Sequence, residues 1–451
     1  MRETEKVPPI SAIPTMTSLA DLAEFRKRIY NGLGPSRDSL FDLMDATLTS
    51  RSLSSFVELS LSPVFRRQWS SLYKGIERGQ PPGRELMKLY AQRISETPQV
   101  VLAGDHTAYG RLWSPTLKER TYEHQPQPQP GAKPITLGVG YSTIACIPEE
   151  QGSWALPLLH ERITSFETPL EKAAEQLQQV CEAIESRPIS LWDAEYGCAR
   201  FLKLTADVDC DKLLRTRSNR VVYGPAPAYG GRGRPRKHGA RFKLNDDTTW
   251  WSSDEQISVQ DEKLGHLRVR CWSSVHFRES AELPMTLILV ERLNAPGQRT
   301  HRPLWLIWTG NIMPALATVW RLYLRRFCVD HWYRFIKQRL HWCLPHLGST
   351  AQMDVWSALM PLMSWQLWLA RDHIQDNPLP WQTKSVSRPT PGRVANSFAL
   401  VLVAIGTPAQ FPKLRGKSTG WPPGQKRTPR PRYPTVKKSL ARPKFRSRSR
   451  A

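Results

Sequence analysis

The stretch from Pro314 to Trp342 constrains the fold more than any other part of the chain. It is rich in Trp, Phe, Leu and Val at helical spacing, yet it carries charges at regular intervals. Tyr323, Arg326, Asp330 and Lys337 stand at offsets of 0, 3, 7 and 14. On one helix turning about 100° per residue, those four fall within an arc of roughly 60°. Val329, Trp332, Ile336 and Leu340 point away from that arc and can anchor the helix in a core. A helix this apolar is mostly buried, and a buried helix does not leave a carboxylate and two cations inward without a partner or a use.

Two upstream stretches offer such partners. Gln99-Val-Val-Leu-Ala103 reads as a short strand ending at Gly104-Asp105-His106-Thr107, and Ile189-Ser-Leu-Trp192 as a second strand ending at Asp193-Ala-Glu-Tyr196. Between them, Thr168 to Ser186 reads as a surface helix with Thr-Pro at its start. Strands that close on an acid and alternate with helices suggest an α/β layer with its site at the strand ends. If the two strands are neighbours and the helix of Asp330 packs across them, Asp105, Asp193 and Asp330 cluster, and their mutual repulsion calls for cations. Hard oxygen donors of this kind suit Mg²⁺ or Mn²⁺, and two such ions can activate an attacking oxygen and stabilise the leaving oxygen of a phosphodiester.

Charge points to the substrate. The chain has 451 residues and a net charge of +24, which favours a polyanion partner, nucleic acid before a membrane surface. From Phe411 to Ala451 there are 14 Lys or Arg and no acid. A second acid-free block runs from Lys212 to Lys243, and within it Gly231-Arg-Gly-Arg-Pro-Arg-Lys237 contains the core of an A·T-hook. Arg232, Arg234, Arg236 and Lys237 are therefore candidate DNA contacts, either in a narrow minor groove or as an unspecific phosphate grip. Seven scattered cysteines without a C-x-x-C pair argue against a disulfide framework and against a structural zinc site. No secretory signal is visible, and the longest apolar run, Phe398 to Ile405, is too short to span a bilayer. These features point to a cytoplasmic, DNA- or RNA-facing protein.

The pattern Tyr323-x₂-Arg326-x₃-Asp330-x₆-Lys337 resembles the Y-x₂-R-x₃-E-x₆-K signature of DDE transposases from bacterial insertion sequences, with Asp in place of Glu. Asp105-His-Thr and Asp193-x-x-Tyr196 are similar to the first and second acidic motifs of that group. The resemblance covers about residues 98 to 345. It implies an α/β fold with an RNase H-like catalytic core interrupted by a β-rich insertion, an all-α N-terminal domain and a basic, partly disordered C-terminal tail. The expected division is 1–97 helical, 98–223 first part of the core, 224–302 insertion, 303–375 second part of the core and 376–451 C-terminal region. By the same resemblance, Asp105, Asp193 and Asp330 hold two Mg²⁺ or Mn²⁺ ions, while Tyr323, Arg326 and Lys337 hold phosphates. The implied chemistry is cleavage at element ends followed by strand transfer into target DNA, in a nucleoid-associated homodimer. Asp330, one methylene shorter than Glu, leaves an alternative open: a weakened or inactive relative that still binds DNA. Trp305 and Trp308, just before the signature, are candidates for stacking on a base, but their spacing on a strand puts at least one of them in the core.

Overall fold

The structure, a computed structural model, describes residues 18–94, 99–124, 134–231, 233–294, 297–376, 378, 389–413, 420, 422–426 and 428–438. Four helices come first: α1 (Leu19–Gly32), α2 (Arg37–Thr49), α3 (Ser70–Arg78) and α4 (Gly83–Gln92). Ser18 caps α1 in a capping box with Asp21, each side chain serving the other's backbone N–H. Of the basic run Phe65–Lys74, only the part from Ser70 is helical. Arg66 and Arg67 instead hold Asp42 of α2 at 2.7 and 3.0 Å.

Next come β1 (Val101–Gly110), β2 (Thr121–His124), β3 (Ile135–Cys146), β4 (Leu156–Ile163), α5 (Pro169–Glu182), β5 (Ile189–Trp192), α6 (Ala199–Leu204) and β6 (Asp211–Thr216). Thr168 and Glu171 form a second capping box, so α5 starts where the Thr-Pro signal places it. The chain continues through β7 (Val221–Tyr223), β8 (Arg241–Lys243), β9 (Glu255–Asp261), β10 (Gly265–Phe277), β11 (Met285–Leu293) and β12 (Leu304–Thr309). Four helices follow: α7 (Val319–Leu324), α8 (Phe327–Gln338), α9 (Thr350–Ala370) and α10 (Pro391–Ile405).

All the strands join one mixed sheet in the order β2-β3-β1-β5-β6-β12-β11-β10-β7-β8, with β4 also on β3 and β9 also on β10. β5 runs parallel to both β1 and β6, and the other pairings are antiparallel. β5 is buried along its whole length, and the first four residues of β1 and of β6 beside it are buried too. α5 packs on β3 and β4, α8 on β1, and α9 on β4.

α9 is apolar almost all round and buried from Met353 to Ala370 with few breaks, which marks a helix enclosed by others. α1, α3 and α10 surround it, so the N-terminal helices share a core with the C-terminal part of the chain. Arg26 of α1 seals this junction, buried between Asp45 of α2 and Gln366 of α9. No described helix is long and apolar enough to cross a membrane. Part of the basic tail lies along the β1–β2 connection. Tyr433 N–H donates to Pro115 C=O at 2.9 Å and Val436 N–H to Arg120 C=O at 2.8 Å.

Two expectations from sequence need correction. The segment from Pro314 to Trp342 is two helices rather than one, because bonds from Arg326 N–H to Tyr323 C=O and from Val329 N–H to Arg326 C=O tighten the junction into a 3₁₀-type turn. The first acid does not end its strand: pairing with β5 stops at Gly104, but β1 continues to Gly110 because β3 pairs with it to that point.

Candidate active site

β1 and β5 bring the first two acids together. Their last parallel pair is Gly104 with Trp192, so Asp105 and Asp193 occupy the next position on adjacent strands. Strands in a sheet lie about 4.8 Å apart, and residues in register share a face. The site thus opens at the carboxyl end of β5, where open α/β sheets place their ligands. Asp193 leaves the strand in a turn closed by Tyr196 N–H on its carbonyl, and its Oδ1 accepts the N–H of Glu195 at 2.9 Å. Asp105 Oδ1 accepts the N–H of His106 at 2.8 Å.

The junction of α7 and α8 supplies the cation. Arg326 Nη1 lies 3.2 Å from Asp105 Oδ2, and Nη2 lies 3.0 Å from Asp330 Oδ2, one turn further on. A single guanidinium therefore joins the helical carboxylate to the strand carboxylate. Its side chain is 8 % exposed, whereas that of Asp330 is 42 % exposed. Lys337, one face further along α8, donates to Thr107 Oγ1 at 2.6 Å. Tyr333 donates to the backbone carbonyl of Asp105 at 2.8 Å and pins β1 from the same side. Tyr323 is buried on α7, with Arg326, Arg215 and Asp193 as the charged groups around it.

The electrostatics show a site rich in negative charge. Burial pushes the Asp105 carboxyl up to about 6 even though Arg326 and His106 oppose the shift, and Asp193 and Asp330 push the same way. Burial works against the charge of Arg326, but Asp105 and Asp330 raise its pKa above the ordinary arginine value. Burial also lowers the Lys337 ammonium.

The hard oxygens of Asp105 and Asp193 suit a divalent cation, and burial raises the Asp105 carboxyl although Arg326 opposes the shift. Among the described residues, no three His, Cys, Asp or Glu side chains converge closely enough to hold a metal as they stand. Asp330 is tied to Arg326 instead.

His106, which the sequence offered only as the neighbour of Asp105, places Nδ1 3.0 Å from Tyr196 Oη and Nε2 4.0 Å from Glu195 Oε2. The only sequence signal for this cluster was the presence of both residues in the quoted acidic motifs. Arg234, Arg236 and Lys237 are exposed on the loop between β7 and β8, while Arg232 lies outside the described residues. In sheet order, β6, β12, β11 and β10 stand between β5 and β7, so the sheet does not bring this loop beside the acid pair. Trp305 and Trp308 are both buried, Trp305 among Phe242, Trp250 and Trp272.

In comparison with known families, the model described as DDE superfamily endonuclease matches residues 28–272. That span is more than half of the chain. It includes Asp105 and Asp193 and ends before α8. No curated protein matches the chain.

Proposed function

We propose that this chain, which belongs to the DDE superfamily endonuclease family, is the transposase of a bacterial insertion sequence, cutting DNA at the element's ends and joining them to target DNA. The observation that carries the reading is the placing of Asp105 and Asp193 one position past the last parallel pair of β1 and β5, with Arg326 linking Asp105 to Asp330. The order β4-β3-β1-β5-β6, antiparallel on one side of β1 and parallel on the other, supports an RNase H-like core.

Asp105 and Asp193 would hold Mg²⁺ or Mn²⁺, with Asp330 as the third carboxylate. Bound there, two ions would polarise the scissile phosphodiester and lower the pKa of an attacking water or 3′-hydroxyl. The chain's own residues do the remaining work. Arg326 and Lys337 bind non-bridging phosphate oxygens through charge-assisted hydrogen bonds. Tyr333 fixes the backbone of Asp105, and the Glu195 N–H orients the Asp193 carboxylate. The exposed Arg234, Arg236 and Lys237 hold DNA away from the cut. Pairing of two ends in a homodimer belongs to the same proposal.

One observation favours a second reading, a DNA-binding relative with weakened chemistry: Asp330 is short, partly exposed and engaged by Arg326. Incubating the purified chain with Mn²⁺ and DNA carrying the element's inverted repeats decides between them. The transposase reading expects end nicking that Asp105→Ala and Asp193→Ala abolish. Cleavage by Asp330→Glu alone, with none by the natural sequence, would establish the weakened relative.

A further inference from the structure

The parallel register that aligns Asp105 with Asp193 reaches one strand further. β1 ends its pairing with β5 at Gly104 and Trp192, and β5 ends its pairing with β6 at Trp192 and Leu214. The next residue in each of the three segments is Asp105, Asp193 and Arg215. Residues at one register position of neighbouring strands share a face, and each strand lies about 4.8 Å from the next. Arg215 therefore continues the row of the two acids on its β6 side.

Its backbone is fixed there from two directions. Arg215 pairs with Leu306 of β12, and the turn that carries Asp193 closes on β6. A Cβ at Gly197 would overlap the Arg215 carbonyl, and Thr216 Oγ1 donates to the Gly197 carbonyl at 3.0 Å. The side chain lies on the α7 side of the sheet: burial raises the Tyr323 phenol, and Arg326, Arg215 and Asp193 are the charged groups that act on it.

The cations around the row are not equally free. Arg326 is bonded to Asp105 and Asp330, and Lys337 to Thr107. Arg215 is exposed, and among the described residues its guanidinium forms no hydrogen bond or ion pair. Its five N–H donors stay open in a fork that matches two phosphate oxygens.

We infer that Arg215 is a further phosphate-binding residue of this site, its guanidinium holding the non-bridging oxygens of a DNA phosphate that flanks the scissile one. The scissile group belongs over the acids, where Arg326 already stands. Arg215, one strand beyond Asp193, meets the backbone as it leaves them. Such a role presupposes that the acid pair cleaves DNA.

Binding of DNA carrying the element's inverted repeats, titrated in metal-free buffer at several salt concentrations, tests it. Arg215→Gln should weaken binding about tenfold or more and make the slope of log affinity against log salt shallower by about one. Neutral methylphosphonates placed singly around the cut locate the contact: one that weakens binding by the natural chain should leave Arg215→Gln unaffected. Arg215→Lys, which keeps the charge without the fork, should restore part of the affinity. The melting temperature of Arg215→Gln should match that of the natural chain, because the guanidinium has no partner to lose. Unchanged affinity and slope in a folded Arg215→Gln, or methylphosphonate penalties that persist at every position, would overturn the assignment. A separate nicking assay judges the cleavage reading, which fails if Asp105→Ala and Asp193→Ala cut like the natural chain.

Discussion

Gly104 lies against the indole of Trp192, so closely that a Cβ at position 104 would come within 2.1 Å of Trp192 Cζ3. The indole has nowhere to go. It is fully buried, donates to Ser190 Oγ at 2.9 Å and packs on Tyr196 and Phe201. Only glycine lets β1 approach β5 here, and the next residue on each strand is an acid of the site. Gly104→Ala should cost about 1–3 kcal/mol of stability through overpacking. It should also lower DNA cleavage by about 100-fold, since a misplacement of about 1 Å at reacting groups has that effect. Denaturant melts and a nicking assay read the two separately; a variant that nicks like the natural chain would show that Trp192 does not position the acids.

Arg326 stands in for positive charge between Asp105 and Asp330. Arg326→Gln leaves a buried carboxylate unpaired, which should cost about 3–5 kcal/mol in metal-free buffer. A divalent cation binding only the folded state then restores stability by mass action. Millimolar Mg²⁺ or Mn²⁺ should therefore raise the melting temperature of Arg326→Gln more than that of the natural protein. Equal rises would place the cation elsewhere.

The raised Asp105 carboxyl gives stability a definite pH dependence. Its folded value, about 6, lies above the ordinary 3.8, so the folded state holds the proton more tightly between those values. Stability from this group is full below pH 4 and is lost as pH rises through 6. Asp105→Asn removes that loss and should stabilise the metal-free protein at pH 7 by on the order of 1–3 kcal/mol. His160 acts with the opposite sign, its folded value near 3 lying below the ordinary 6.5, so stability from His160 is lost on acidification. The difference between Asp105→Asn and the natural chain isolates the carboxyl. A difference that does not change between pH 4 and 7 would mean that Asp105 keeps an ordinary pKa.

The basic tail is expected to hold DNA phosphates while its described part stays on the β1–β2 connection through Tyr433 and Val436. Deleting residues 411–451 removes 14 cations. The slope of log affinity against log salt should become shallower by the number of phosphates the tail contacts. An unchanged slope, measured by titration at several salt concentrations, would mean that DNA does not engage the tail.

Much of the local structure was readable from the chain because its causes are local. The Thr-Pro start of α5 and the apolar run of β5 depend on residues within a turn or two of one another. The stripe on the signature segment was also visible, but its break at Arg326 was not, since helical periodicity assumes a continuous helix. The strand of Asp105 looked shorter than it is, because the partner that extends it to Gly110 comes from β3.

By itself, the sequence determined the elements, the acids near the strand ends, the polar stripe and the basic blocks, all properties of spacing and composition. Only the tertiary structure decided which strands pair. It set Gly104 beside Trp192, carried Arg326 to an acid 221 positions away and laid Arg215 in one row with Asp105 and Asp193. The physical reason is that strand register and side-chain partners are chosen by long-range packing. Each segment is compatible with many partners, and only the assembled core selects among them.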